Sequence, residues 1–74
     1  MPLINVRLIE GVFSDSQKQQ IIERLTDAMV SIEGENLRPV TWCVLDEVKS
    51  DWGIAGQGMT AEAVHALAAG QPVG

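Results

Sequence analysis

The stretch Ser14-Asp15-Ser16-Gln17-Lys18, followed by Ile21, Ile22, Leu25, Ala28, Met29 and Ile32 and closed by Gly34, decides the fold. Ser14 and Gln17 have the spacing of a capping box, and Asp15 sits where a helix is positive. The apolar residues fall one, four, seven, eight and eleven positions after Ile21, a single stripe at helical period. Gly34 supplies the stop. Lys18, Glu23, Asp27 and Ser31 occupy the other face, which this pattern turns to water, and Met29 is core filler.

Outward from this helix, both flanks read as strands. Leu3 to Ile9 is aliphatic and β-branched, as in a strand covered on both faces, with Ile4, Val6 and Leu8 on one side and Leu3, Asn5, Arg7 and Ile9 on the other. Glu10-Gly11 ends it in a turn. After a polar link holding Asn36, Arg38 and Pro39, Val40 to Leu45 forms the second strand, followed by Asp46-Glu47. Strand, helix and strand make a βαβ unit, whose strands run parallel with a right-handed crossover. Trp52-Gly53-Ile54-Ala55-Gly56 reads as a short strand or hairpin, Thr60 caps a brief helix with Ala63, Val64 and Leu67 on one face, and the tail from Gly70 is loose. Residues 1–74 make one α+β domain.

A chain of 74 residues hides only about 60% of its unfolded surface. Cys43 is the only cysteine, so no internal disulfide assists, and a reduced compartment is expected. Hydrophobic residues nevertheless reach 46%, and a two-stranded sheet is too narrow to bury them. Further copies of the chain are expected to complete it. The net charge of −5, spread along the chain, disfavours nucleic acid and anionic membranes as partners. Asn5 and Arg7 interrupt any signal-peptide pattern, and no apolar run reaches transmembrane length, which points to a soluble cytoplasmic protein.

The reactive side chains form no obvious constellation. His65 lies on the brief C-terminal helix without partners at metal-ligand spacing, and Cys43 sits mid-strand as an inert thiol. Asp46 and Glu47 point to opposite faces of a strand and cannot act as a carboxylate pair. Gly53 and Gly56 match no phosphate-loop spacing.

The start Met1-Pro2, together with Pro2-Leu3-Ile4, Glu10-Gly11, Ser14 to Gln17-Lys18, Val44-Leu45-Asp46-Glu47-Val48 and Trp52-Gly53-Ile54-Ala55-Gly56, resembles the tautomerase superfamily of 4-oxalocrotonate tautomerase and its relatives. The resemblance covers roughly residues 2 to 58 and implies a β-α-β unit whose sheet is completed in a hexamer or dimer. It implies an isomerase that moves a proton on a small enol or 2-keto acid, without metal or organic cofactor. Its base is an N-terminal proline, here Pro2 after removal of Met1. A proline inside a chain has no basic nitrogen, whereas a terminal one is a secondary amine with no side-chain freedom. An ordinary α-amino group titrates near 7.7–8.0, and apolar surroundings lower that value by disfavouring the ammonium. The positions that wall the proline in the family correspond to Leu3, Ile9, Trp52 and Ile54.

Two departures matter. Better-studied relatives hold a dicarboxylate with two arginines, one after the Glu-Gly turn and one in the second strand; here these positions are Val12 and Trp42. Without these bidentate clamps, a dicarboxylate specialist is not expected. The cations present are Arg7, Lys18, Arg24, Arg38 and Lys49, of which Arg38, just ahead of the second strand, is placed to reach a neighbouring copy's proline. Trp42 and Trp52 suit a flat, less charged substrate such as a phenylpyruvate-like enol. Two alternatives stay open: a relative that adds water, with dehalogenation or decarboxylation following, and a non-catalytic oligomeric binding protein.

Overall fold

The computed structural model of the chain describes residues 1–49 and 51–70. Strand β1 (Leu3–Ile9) leads into helix α1 (Asp15–Glu33), a 3₁₀ segment (Glu35–Val40), strand β2 (Trp42–Val48), the two-residue strands β3 (Gly53–Ile54) and β4 (Gln57–Gly58), and helix α2 (Ala61–Ala68). Beyond Gly70, the expected loose tail lies outside the described residues.

β1 and β2 pair in parallel from Leu3↔Trp42 to Ile9↔Val48. The ladder runs one bond past each end, with the Trp42 N–H donating to the Pro2 carbonyl at 3.0 Å and the Glu10 N–H to the Val48 carbonyl at 2.9 Å. The second strand therefore spans Trp42–Val48 and not Val40 to Leu45. Pro39 lacks an amide hydrogen and sits in the 3₁₀ segment, which carries Val40 with it. At the far end Asn5 Nδ2 donates to Asp46 Oδ2 at 2.8 Å and Lys18 Nζ to Glu47 Oε1 at 2.8 Å, so the acidic pair belongs to the strand with its two members on opposite faces.

α1 starts as its sequence dictates. The Gln17 N–H donates to Ser14 Oγ and the Ser14 N–H to Gln17 Oε1, a complete capping box. It stops at Gly34, whose φ of +102° is open to a residue without Cβ and whose N–H donates to the Val30 carbonyl. Its sheet-facing side differs from the apolar stripe. Ile21, Ile22, Leu25 and Met29 of that stripe are partly covered, but so are Lys18, Thr26 and Glu33; Val30 is buried at 4% exposure, whereas Ile32 is 85% exposed. Lys18 and Glu33 lie on this face because each reaches an end of β2: Lys18 pairs with Glu47, and Glu33 takes a short hydrogen bond from the Thr41 hydroxyl. Lys18 is thus not a solvated charge, and its hydrogen bond to Glu47 raises its pKa.

α1 covers one face of the sheet and leaves the other open, contrary to a β1 covered on both sides. Leu3 is 53%, Trp42 58% and Val44 39% exposed on that open face. Val30 is the only buried hydrophobic residue among those described. The accessible surface, 5483 Å², exceeds by about 1,000 Å² the roughly 4,450 Å² expected for a self-contained monomer of 8.0 kDa. The radius of gyration, 15.1 Å, likewise exceeds the ~11 Å of a compact chain this long.

The hairpin joins β3 to β4 through Ala55-Gly56, with φ of +54° and +81°, the left-handed pair of a type I′ turn. The Met59 N–H donates to the Trp52 carbonyl at 2.6 Å, and Thr60 Oγ1 accepts from the Ala63 N–H to cap α2. His65 Nε2 lies 2.8 Å from the Gly11 carbonyl and so ties α2 to the turn after β1.

Candidate active site

The candidate residues fall at the two ends of the parallel pair. Pro2, Leu3 and Trp42 stand at the start of the strands, where the register places Leu3 opposite Trp42. Pro2 is half-buried, and its carbonyl is fixed by the Trp42 N–H. The terminal ammonium of Met1 makes a short hydrogen bond to the Val40 carbonyl. The chain end is therefore held on both sides of Thr41, and Thr41 is itself held by Glu33.

Arg38 belongs to this end through its backbone, while its guanidinium is engaged elsewhere. Nε and Nη2 donate to the two oxygens of Glu35 at 2.8 and 3.0 Å, and Nη1 donates to Asp27 Oδ1 at 2.9 Å. The hydrogen bonds to Glu35 and then Asp27 hold the guanidinium charged, and the same contact lowers the Glu35 carboxyl pKa. These pairs clamp the 3₁₀ segment to α1.

Ile9 and Trp52 lie at the other end. With Glu10, Val48, Lys49, Asp51, Met59 and Thr60 they line a cleft of about 480 Å³ between the strand ends, the hairpin and α2. Ile54 is half exposed on the hairpin. Seven residues of strand at about 3.3 Å each put roughly 23 Å between Pro2 and Ile9. One chain therefore brings Leu3 and Trp42 to Pro2 but leaves Ile9 and Trp52 at the opposite edge. Lys49, Glu10 and Met59 were not singled out from sequence; the available signal was that Lys49 is a cation three residues before Trp52.

Val12 is partly covered just past the Glu10-Gly11 turn, and Trp42 is exposed on the open sheet face, so neither position carries a cation. Cys43 is half-buried on the helix-covered face. Among the described residues no three His, Cys, Asp or Glu side chains converge as metal ligands, and no helix is long and apolar enough to cross a membrane.

A parallel strand pair with one crossover helix and a trailing hairpin makes a small α+β protein with the architecture of the tautomerase class. Family comparison agrees: the model of the tautomerase enzyme family matches residues 2–62. A protein of Dickeya dadantii named "Probable tautomerase K2" is 36% identical over 61 residues, covering 81% of this chain and 90% of its own length. A Helicobacter pylori protein named "Probable tautomerase" is 36% identical over 69 residues, covering 90% and 94%. Among solved structures, an apo unfused 4-OT superposes with a TM-score of 0.70 at 33% identity, covering 85% of this chain and 98% of that one. DmpI from Helicobacter pylori gives 0.66 at 35%, covering 77% and 94%. The chain belongs to the tautomerase family, and its fold is that of the 4-OT-like members.

Proposed function

We propose that the chain is a cofactor-independent tautomerase whose base is the ring nitrogen of Pro2, freed by removal of Met1, acting on a small enol or 2-keto acid. The observation that carries this is the setting of Pro2. It is half-buried at the end of the β1–β2 ladder, held at 3.0 Å through its carbonyl, so a terminal amine there is a base with little freedom to lose. In the forward direction the amine takes the enol hydroxyl proton as the C=O bond forms, and a proton is returned to the neighbouring carbon, so the substrate isomerises without net gain or loss.

The site is proposed to form between copies of the chain, as a hexamer or dimer in the cytoplasm. Pro2, Leu3 and Trp42 come from one copy, and Ile9, Trp52 and Ile54 come from another as the apolar wall that lowers the amine pKa. The 23 Å between the two groups within one chain and the open sheet face both favour this. Arg38 enters as the residue that fixes the Glu35–Val40 segment, and with it the Val40 carbonyl beside the chain end.

The test is ketonisation of phenylenolpyruvate and 2-hydroxymuconate by the Met-free protein and by Pro2→Ala. The substitution is expected to remove most of the activity, since it exchanges a secondary for a primary amine and alters the geometry. Unchanged activity in the variant rules out proline catalysis.

A further inference from the structure

A carboxylate substrate needs a cation within reach of the site, and the fold sorts the five available. Lys18 is bound to Glu47 at 2.8 Å and to Asp15 at 3.4 Å. Arg38 is bound to Glu35 and Asp27. Arg7 lies on the open sheet face, and Arg24 lines a separate groove with Phe13, Ile21 and Leu25. Lys49 alone lines the 480 Å³ cleft that holds Trp52 and Ile9, and it makes no ion pair among the described residues.

From this juxtaposition we propose that Lys49 is the specificity-determining cation of the site and that the cleft takes a monocarboxylate with a flat apolar body. The deduction rests on the reading that this cleft is the half-site facing another copy's Pro2. Its chemistry follows from the lining. The ammonium offers one charge and three donors, enough for a single carboxylate but without the fork of an arginine. Trp52, Ile9 and Met59 give the body an apolar bed. Glu10 lines the same cleft, so a second carboxylate on the ligand meets like charge. The arrangement selects by repulsion as well as attraction, and the excluded class is the dicarboxylates.

Binding to the Met-free protein, followed by tryptophan fluorescence, tests this without turnover. The probes are phenylacetate, its neutral isostere phenylacetamide, and the dianion 2-carboxyphenylacetate. Phenylacetate is expected to bind, with Kd raised about tenfold in Lys49→Gln and within about threefold of wild type in Lys49→Arg, the loss of one charge-assisted contact. Phenylacetamide is expected to be indifferent to Lys49→Gln, and the dianion to bind more weakly than phenylacetate. Arg24→Gln, with the same change in net charge, is expected to leave all three unchanged. A Lys49→Gln shift equal for acid and amide, no shift for the acid, or no binding of phenylacetate overturns the proposal. Because no proton transfer is read, these outcomes are independent of the Pro2→Ala result: an inactive Pro2→Ala beside an unshifted Lys49→Gln removes Lys49 alone.

Discussion

Val44 stands in the middle of the open sheet face, opposite Asn5 in the register and 39% exposed in the single chain. Replacing it with lysine puts an ammonium where a second copy is expected to pack. The stakes follow from the surface. About 1,000 Å² of excess area per chain, roughly two-thirds apolar as in homodimer interfaces, is worth about 16 kcal/mol gross at 25 cal/mol per Å². That figure is per chain, whereas association costs about 4–15 kcal/mol per complex together with side-chain ordering, so only part of the gross term appears as affinity. An unpaired charge buried in such an interface costs about 3–5 kcal/mol, which is two to four decades in Kd. Sedimentation velocity from about 1 to 100 µM is the assay. Wild type is expected to run as an assembly throughout, and Val44→Lys to dissociate within or above that range, with ketonisation falling in step. A wild-type chain that sediments as an 8.0 kDa monomer, or a Val44→Lys protein that keeps its assembled mass, would refute the reasoning.

Other expectations are more local. Val30→Ala removes two carbons from the only buried hydrophobic residue described and is expected to destabilise by about 2 kcal/mol in a urea titration at fixed protein concentration. Ala55→Asn places a residue tolerant of left-handed backbone at φ +54° before Gly56, and is expected to stabilise by about 0.5–1 kcal/mol and raise the melting temperature by several degrees. Because pairing with Arg38 lowers the Glu35 pKa, the clamp's contribution is present above the ordinary glutamate value of about 4.3 and is lost as pH falls through the lower folded value. Amide exchange across residues 35–40, compared with Glu35→Gln, checks this: the wild-type protection should fall to that of the variant only in acid.

The parallel pair, the helix and its caps were legible because each rests on local chemistry: the Ser14 capping box, Gly34 at a positive φ, and the aliphatic run Leu3–Ile9. The hairpin was visible in part, as a glycine-rich stretch after Trp52. Orientation was harder to read. A stripe drawn through apolar residues included Ile32 and left out Lys18 and Glu33, because the helix docks at both ends by polar contacts that hydropathy does not register. Val40 was drawn into the strand because its side chain suits one, whereas Pro39 governs the backbone there. Among the site residues, Leu3, Ile9, Trp52 and Ile54 were set together around Pro2; the pairing of Leu3 with Trp42 follows from the strand register, and the separation of Ile9 and Trp52 from strand length in a parallel pair. The ion pairs of Arg38 depend on how the 3₁₀ segment folds against α1, which no motif announces.

The central claim is that the Pro2 nitrogen must be a free amine, and it is tested most directly on two forms of one sequence. Ketonisation of phenylenolpyruvate is measured for chains that keep Met1 and chains that have lost it, with intact mass defining each and matched assembly confirmed by sedimentation. Activity confined to the Met-free form, in proportion to its fraction in mixtures, is the predicted result. Equal activity in the Met1-bearing form, where that nitrogen is an amide, would contradict it.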